Sequence, residues 1–553
     1  MDKPFIAVGA EDFKELREYN ALYVDKTLLI RDLVASIPAK VKLFLRPRRF
    51  GKTLTLSMLR YFFSDEEGND PKKLFSGLKI MEPGNEKAQE MMGQYPVIYL
   101  TLKEIRKDTF ERAQRALQMV VKSLYSAHVD LLSNLDDAHK TQFLAYQKGL
   151  DSYLDPALAF LCECVHYATG KNPIVLLDEY DVPLDSAHLH GYYEQMVDII
   201  RGLFSSTFKS NPYLEFAVIT GCLQVSKESI FTGMNNLAVF PVTSRFFTSS
   251  FGFTEDEVAG LFKLYGLEDK LAEAKAWYDG YKIDKDMVYT PWSVLQYLAN
   301  LQKDRNADPE DYWVNTSGND ILRSMCEKER DEQVREDIAT LAEGKTITRE
   351  IQSAGVTYGN LYDDAASLFT TLLYTGYVTI VRKEAKDTYT LRVPNREVLD
   401  AYRKTIKSYL EDTVYKADRR LLEAVKEGCA EKLTDYMNGK LAETLSVRDW
   451  EEAKYHGIFL GLFDSMGGGY KPKSQSESGM GYPDILVRNI NTRHVVVIEC
   501  KKAPDEDHIE QAAMEGLEQA VRLHYGQDIK SKRLDVYGVG LYGKECLFVK
   551  QGD

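Results

Sequence analysis

"LRPRRFGKTLTLSML", Leu45 to Leu59, decides how the N-terminal half is read. The run around its start, "AKVKLFLRP" (Ala39–Pro47), is apolar and ends in proline, which reads as a short strand. The run behind it, "TLTLSMLRYFF" (Thr53–Phe63), carries apolar residues at helical spacing. Strand, turn and helix are the setting a phosphate-binding loop requires. Gly51, Lys52 and Thr53 match the second half of G-x-x-x-x-G-K-[ST], but Arg46 holds the first glycine's place. Most of the chemistry lies in the second half. Gly51 lets backbone N–H groups turn toward phosphates. Lys52 reaches the β- and γ-phosphates as a mobile cation, and Thr53 offers a hydroxyl to Mg²⁺. The helix N-terminus adds partial positive charge. Arg46, Arg48 and Arg49 are expected to add positive charge near the same anion.

Working outward, "NPIVLLDEYDVPL" (Asn172–Leu184) has a continuous apolar run, Ile174 to Leu177, as a buried parallel strand should. It ends in Asp178 and Glu179. Asp178 is placed to hold Mg²⁺ through water, and Glu179 to orient and deprotonate an attacking water. "LEFAVITGC" (Leu214–Cys222) reads as another buried strand, ending in Thr220, a polar residue expected to face the γ-phosphate. "YPVIYLTL" (Tyr95–Leu102) reads as a further strand. Four strands separated by helical stretches predict a doubly wound parallel sheet with ATP at the strand ends. Arg245, in "VTSRFFTSSFGFT", is a candidate arginine finger; a plain surface arginine is the equal alternative.

The C-terminal part carries a separate constellation. In "GYPDILVRNINTRHVVVIECKKA" (Gly481–Ala503), "DILVRN" and "HVVVIEC" read as two strands joined by a turn. Glu499 and Lys501 are two apart, so they project from one face. Asp484 opens the first strand. Two carboxylates and an ammonium in one place make the P-D…(D/E)-x-K pattern of metal-dependent nucleases, with Mg²⁺ or Mn²⁺ on Asp484 and Glu499. Lys501 is the residue to position the nucleophile. His456, on the amphipathic run "WEEAKYHGIFLGLFDSMG" (Trp450–Gly467), is a candidate further metal ligand, and Glu477 a possible further acid. Gln519 and Tyr525 follow on a helical run, where core and surface roles are the default.

The bulk composition bounds the rest. A chain of 553 residues needs several domains, and a net charge of −14 leaves no global pull toward nucleic acid. The lone CxC pair Cys162 and Cys164 reads as buried core, not as a zinc site. No apolar leader or membrane-length run occurs, which predicts a cytoplasmic protein with no membrane partner. Residues 253–330 read as a helical lid. Within 331–405, a helix and hairpin (364–395) resemble a winged helix, of a kind that more often contacts other domains than DNA.

Together with "YVDKT" (Tyr23–Thr27), "FGFTEDEV", "WYDGY", "YTPWSV", "YWVNTSGN", "YTGYVT" and "YHGIFLGL", these motifs occur in one order over almost the whole length. In that order the chain resembles the bacterial AAA-ATPase-like proteins that carry a C-terminal PD-(D/E)XK nuclease domain. The resemblance implies a multidomain α/β protein. A P-loop ATPase domain (1–252) is followed by the lid, the connector and a restriction-endonuclease-like domain (406–553). It makes Arg46-Pro47-Arg48-Arg49-Phe50-Gly51-Lys52 the usual phosphate loop, continuing through Thr53 and Leu54. Carried across by position, Lys52, Thr53, Asp178 and Glu179 serve ATP and Mg²⁺, and Asp484, Glu499 and Lys501 serve the nuclease. Tyr482 and Pro483 depart from the family, which often has an arginine shortly before the aspartate. The expected function is an ATPase coupled to a nuclease acting on nucleic acid, DNA first, with homo-oligomers possible. The alternatives are a signalling or assembly ATPase whose nuclease fold only binds, and a scaffold without turnover.

Overall fold

The computed structural model describes residues 3–35, 39–149, 153–223, 230–231, 233–313, 332–352, 364–413, 419–443, 452–466, 468–474, 481–489 and 491–552. The chain forms two compact units. One comprises residues 1–317 with 344–399, the other 318–343 with 400–553. This division cuts through the segment 331–405.

The first unit is built on five parallel strands: β1 (Val41–Leu45), β2 (Val97–Thr101), β3 (Ile174–Asp178), β4 (Ala217–Gly221) and β5 (Leu237–Phe240), in the order β2-β3-β4-β1-β5. Every residue of β1, β3 and β4 is buried, which explains their unbroken apolar runs. Separate hydrophobic clusters cover the two faces. Cys162 and Cys164 sit in one of them on the helix Ala157–Thr169. β4 lies between β1 and β3, so the loop after β1 and the acids ending β3 open at the same sheet edge. β5, half-exposed and only four residues long, had no signal in the sequence.

The segment expected to be a helical lid is mixed. Its helices Glu255–Tyr265, Leu271–Tyr278 and Pro291–Lys303 pack with a three-stranded antiparallel sheet of β6 (Phe253–Thr254), β7 (Tyr281–Ile283) and β8 (Asp286–Tyr289), in the order β6-β8-β7. "WYDGYKI" breaks the helical pattern because it enters the β7–β8 hairpin. Thr254 and Glu257 form the capping box that their spacing predicts.

A second small sheet, in the order β10-β11-β9, contains β9 (Ile347–Glu350), β10 (Thr379–Ala385) and β11 (Thr388–Arg392). The helix Ala365–Thr375 precedes the hairpin, as expected, and Ser367 through Tyr374 are all buried. A helix buried in this way has no free face for a nucleic-acid groove. Gly376 ends it at φ 93, with Pro47 of the phosphate loop packed where a Cβ would stand. Trp313 is fully buried; its indole N–H donates to the Arg48 carbonyl at 3.2 Å and its backbone N–H to Glu397 Oε1 at 2.6 Å. Ser293 Oγ donates to the same carboxyl at 2.9 Å.

The second unit holds β12 (Tyr470–Ser474), β13 (Ile485–Asn489), β14 (His494–Lys502), β15 (Arg533–Tyr542) and β16 (Glu545–Lys550), in sequential order. Only β14 and β15 pair in parallel, and the helix Ile509–Arg522 makes the crossover between them. Gly538 and Gly540 let this helix press on β15, because a Cβ at either would overlap its backbone at Ala513 or Ile509. The helices Arg419–Glu427, Ala430–Glu443 and Glu452–Ser465 cover the opposite face, against Val496, Ile498 and Cys500. Val495 and Val497 face the crossover helix. Across the described residues no helix is long and apolar enough to cross a membrane.

Burial moves the Glu397 carboxyl up to about 8 from its usual 4.5. The folded state therefore holds a proton that the unfolded state releases above about 4.5. Stability is fully present below that pH and is lost as pH rises through 8. Thermal unfolding of the wild type should fall in this window. Glu397→Gln should flatten the dependence; an unchanged slope would contradict it.

Candidate functional site

At the end of β1 the chain reverses twice: Arg49 (φ 68) and Gly51 (φ 80) both take left-handed backbone. The helix Lys52–Phe63 starts directly behind. Lys52 Nζ donates to the Arg46 and Pro47 carbonyls, both at 3.0 Å, and lies 3.2 Å from Cys222 Sγ. Those loop carbonyls are what an incoming phosphate oxygen must displace. Thr53 Oγ1 donates to Asp178 Oδ2 at 2.6 Å, and the Thr220 hydroxyl donates to the other carboxylate oxygen. Asp178 is fully buried.

A cavity of about 540 Å³ opens over the loop, lined by residues 48–55 and Glu179 together with Tyr23, Phe253, Trp292 and Leu295. The lining joins the cations of the loop to aromatic and apolar side chains, the two kinds of group that a nucleotide's phosphates and base need. Leu54 is on this wall. Phe50 is buried edge-on to Tyr281, with ring centroids 5.1 Å apart. Asp178 and Thr220 lie behind Thr53, outside the lining, so Thr220 acts on the site through the carboxylate. Burial pushes the Glu179 carboxyl up, and Lys52 opposes that shift.

One expectation needs correction. Arg46 does not face the cavity. It is fully buried, and its guanidinium donates to the carbonyls of Leu45 (2.8 Å), Phe240 (2.8 Å), Pro241 (3.2 Å) and Phe247 (3.0 Å). It ties β1 to the end of β5 where a glycine would leave a hole. Burial draws its guanidinium down to about 10, still cationic near neutrality. Arg245 is exposed and outside the cavity, a position that suits a surface arginine and an arginine reaching another copy of the chain alike. Sequence reasoning also missed residues. Asp181 accepts the N–H groups of Cys222 and Leu223, both at 2.8 Å, and so holds the end of β4. Its only signal was the third acid in "DEYD". Tyr23 and Trp292 sat inside the conspicuous motifs "YVDKT" and "YTPWSV", but nothing in the pattern assigns a role.

In the second unit, β13 and β14 pair with Ile485 opposite Ile498, which places Asp484 opposite Glu499 one rung on. Cross-strand partners share a face. Asp484 Oδ2 accepts from the Cys500 N–H at 2.8 Å, and Glu499 Oε2 from the Asp484 N–H at 3.3 Å. Lys501 Nζ lies 3.4 Å from Glu499 Oε1. Gln519, on the crossover helix, donates to that same oxygen. Tyr525 is buried in the adjoining core. Burial first, then the Asp484 charge, pushes the Glu499 carboxyl up to about 7, with Lys501 opposing. Two carboxylates facing each other across neighbouring strands fit a divalent cation between them. His456 sits half-buried on the helix Glu452–Ser465. No three His, Cys, Asp or Glu side chains converge among the described residues, so His456 is not gathered with this pair. Glu477 lies outside the described residues.

Comparison with known proteins follows the same division. Residues 7–231 match the family model described as "Predicted AAA-ATPase". Residues 450–550 match the PD-(D/E)XK nuclease superfamily. The chain is also similar to an uncharacterized protein in the vnfD 5' region of Azotobacter chroococcum mcd 1. The identity is 26% over 407 residues, 72% of this chain and 69% of the relative. The two domain families suggest ATPase and nuclease activity.

Restoring the loop glycine should do harm. Arg46→Gly leaves buried carbonyls without donors, at a cost of about 3 kcal/mol or more in total. Chemical denaturation of the full chain should show that loss in the N-terminal unit. Wild-type stability would contradict the assigned role.

Proposed function

We propose that this protein is an ATP-hydrolysing, ATP-gated, metal-dependent nuclease. The observation that carries the nuclease reading is the β13–β14 register, which sets Asp484 opposite Glu499 with Lys501 two residues on. In the ATPase unit, Lys52 and the loop N–H groups bind the β- and γ-phosphates. Thr53, backed by Asp178, would hold Mg²⁺, and Glu179 takes the proton of the attacking water. In the nuclease unit, Asp484 and Glu499 would hold Mg²⁺ or Mn²⁺. The ion supplies an activated water and neutralises phosphate charge. Lys501 orients that water, and Gln519 fixes the Glu499 carboxylate through its amide.

The segment 253–303 serves as the lid over the base end of the cavity, and the helix–hairpin 365–392 as a winged-helix-like connector that grips the phosphate loop. The boundary between the two units falls inside the helix Arg396–Thr413, whose first turn carries Glu397. Through Trp313 that turn is linked to the Arg48 carbonyl. Nucleotide state therefore has a covalent route toward the nuclease unit. DNA is the favoured substrate and the cytoplasm the favoured location, in defence or in the handling of mobile DNA. The net charge of −14 favours a second reading, in which the nuclease fold binds without cutting.

Purified protein should cut plasmid DNA with Mg²⁺ or Mn²⁺, and Lys501→Ala should lower that rate by about 100-fold or more. RNA serves as the competing substrate. Undiminished cleavage by Lys501→Ala would remove the assignment. Lys52→Ala should abolish nucleotide binding and any response of cleavage to ATP, while leaving basal cleavage in place.

A further inference from the structure

We infer that the edge strand β12 is the track that leads a DNA strand to the Asp484–Glu499 pair, holding its phosphates on Lys471, Lys473 and Arg488. The inference rests on the nuclease reading of the second unit and adds the surface on which the substrate lies. Strand register places these cations. Lys473 pairs with Leu486, which pairs with Val497; Lys471 pairs with Arg488, which pairs with Val495. Leu486, Val495 and Val497 meet the crossover helix in one core. Cross-strand partners share a face, and so do residues two apart. Lys471, Lys473 and Arg488 therefore stand on the face of Asp484, Glu499 and Lys501, in the two rows next to the carboxylates. Successive rows lie about 7 Å apart, so a chain of phosphates lying along β12 meets cations in succession.

The cover over this face stops short of the edge. The core under the crossover helix reaches Leu486 of β13 and takes in no residue of β12. Lys471 and Lys473 are exposed beyond it. β12 is the first strand in its sheet, with no further strand beside it among the described residues.

Lysines often guard an exposed sheet edge against pairing with another chain. Guarding needs charge on the edge strand alone. Arg488 is on β13, one strand in and half-buried, and its Nε finds no acceptor among the described residues. Neither β12 nor β13 contains an acid, in a chain whose 84 acidic residues outnumber its 70 basic ones. Lys471 Nζ comes within 3.9 Å of Asp464, but both side chains are largely exposed. Such a pair is worth little and yields readily to a phosphate. The local charge thus opposes the net charge of the chain on the face where the carboxylate pair stands.

The test is DNA binding by the full chain, read by fluorescence anisotropy of a labelled duplex in EDTA. Lys471→Gln combined with Lys473→Gln should raise Kd about ten-fold or more. It should also lessen the slope of log K against log salt by about two, one for each phosphate contact. Duplexes of unrelated sequence should lose equally, because phosphates carry no sequence. In cleavage assays KM should rise while kcat stays within about three-fold. Lys426→Gln combined with Lys432→Gln removes the same charge from exposed positions on the helices of the opposite face, and should bind as the wild type does. An unchanged Kd and salt slope in the β12 variant would overturn the inference and leave the lysines as edge guards, even where cleavage persists. Equal losses in both double variants, or a wild type that binds no DNA, would overturn it as well. A wild type that binds DNA through these residues and never cuts it would remove the nuclease reading and leave the track standing.

Discussion

The N-terminal site is organised by one buried carboxylate. Asp178 accepts the Thr53 and Thr220 hydroxyls, so β3, β4 and the helix behind the phosphate loop meet at a single group. A carboxylate this deep is costly unless its lone pairs are filled. Hydroxyls fill them without cancelling its charge, which remains to act through Thr53. Three residues on, Asp181 does a related task by taking two backbone N–H groups at the end of β4. Acids at the end of one buried strand thus fix the floor on which the loop rests. The strand order β2-β3-β4-β1-β5 makes this possible, because it sets β4 between the loop strand and the acidic strand.

The second unit reaches a comparable result by different means. Its site follows from strand arithmetic: opposite residues share a face, and so do residues two apart. Val496, Ile498 and Cys500 take one face of β14 into the helical core. Glu499 and Lys501 are left on the other, under the crossover helix that carries Gln519. The glycines of β15 keep that helix close enough for its amide to reach the carboxylate. A larger residue at Gly538 or Gly540 acts on the site only by lifting this helix.

Much of this was legible in the sequence. The runs in β1, β3 and β4 announced fully buried strands, and polar residues at their ends marked the site. The spacing of Glu499 and Lys501 fixed a shared face before any coordinates. What stayed hidden depended on partners far away in the chain. Arg46 looked like an anion ligand because its neighbours are cationic, yet three of the four carbonyl oxygens it serves lie 194 residues or more on, at Phe240, Pro241 and Phe247. Glu397 finds Trp313 across 84 positions. Local periodicity reports that a residue is buried and not what it meets. β5 and the β6-β8-β7 sheet were missed for a related reason, since two- to four-residue strands leave too short a pattern to register.

On the proposed function, one chain builds two separate sites for phosphate oxygens, each completed by a divalent cation. Counting bound Mn²⁺ by electron paramagnetic resonance tests it directly. Without nucleotide, one ion per chain should bind, and Asp484→Asn should remove it. Adding a non-hydrolysable ATP analogue should bring a second ion that survives in that variant and disappears in Lys52→Ala. No ion in the absence of nucleotide, or one that Asp484→Asn leaves in place, would contradict the account.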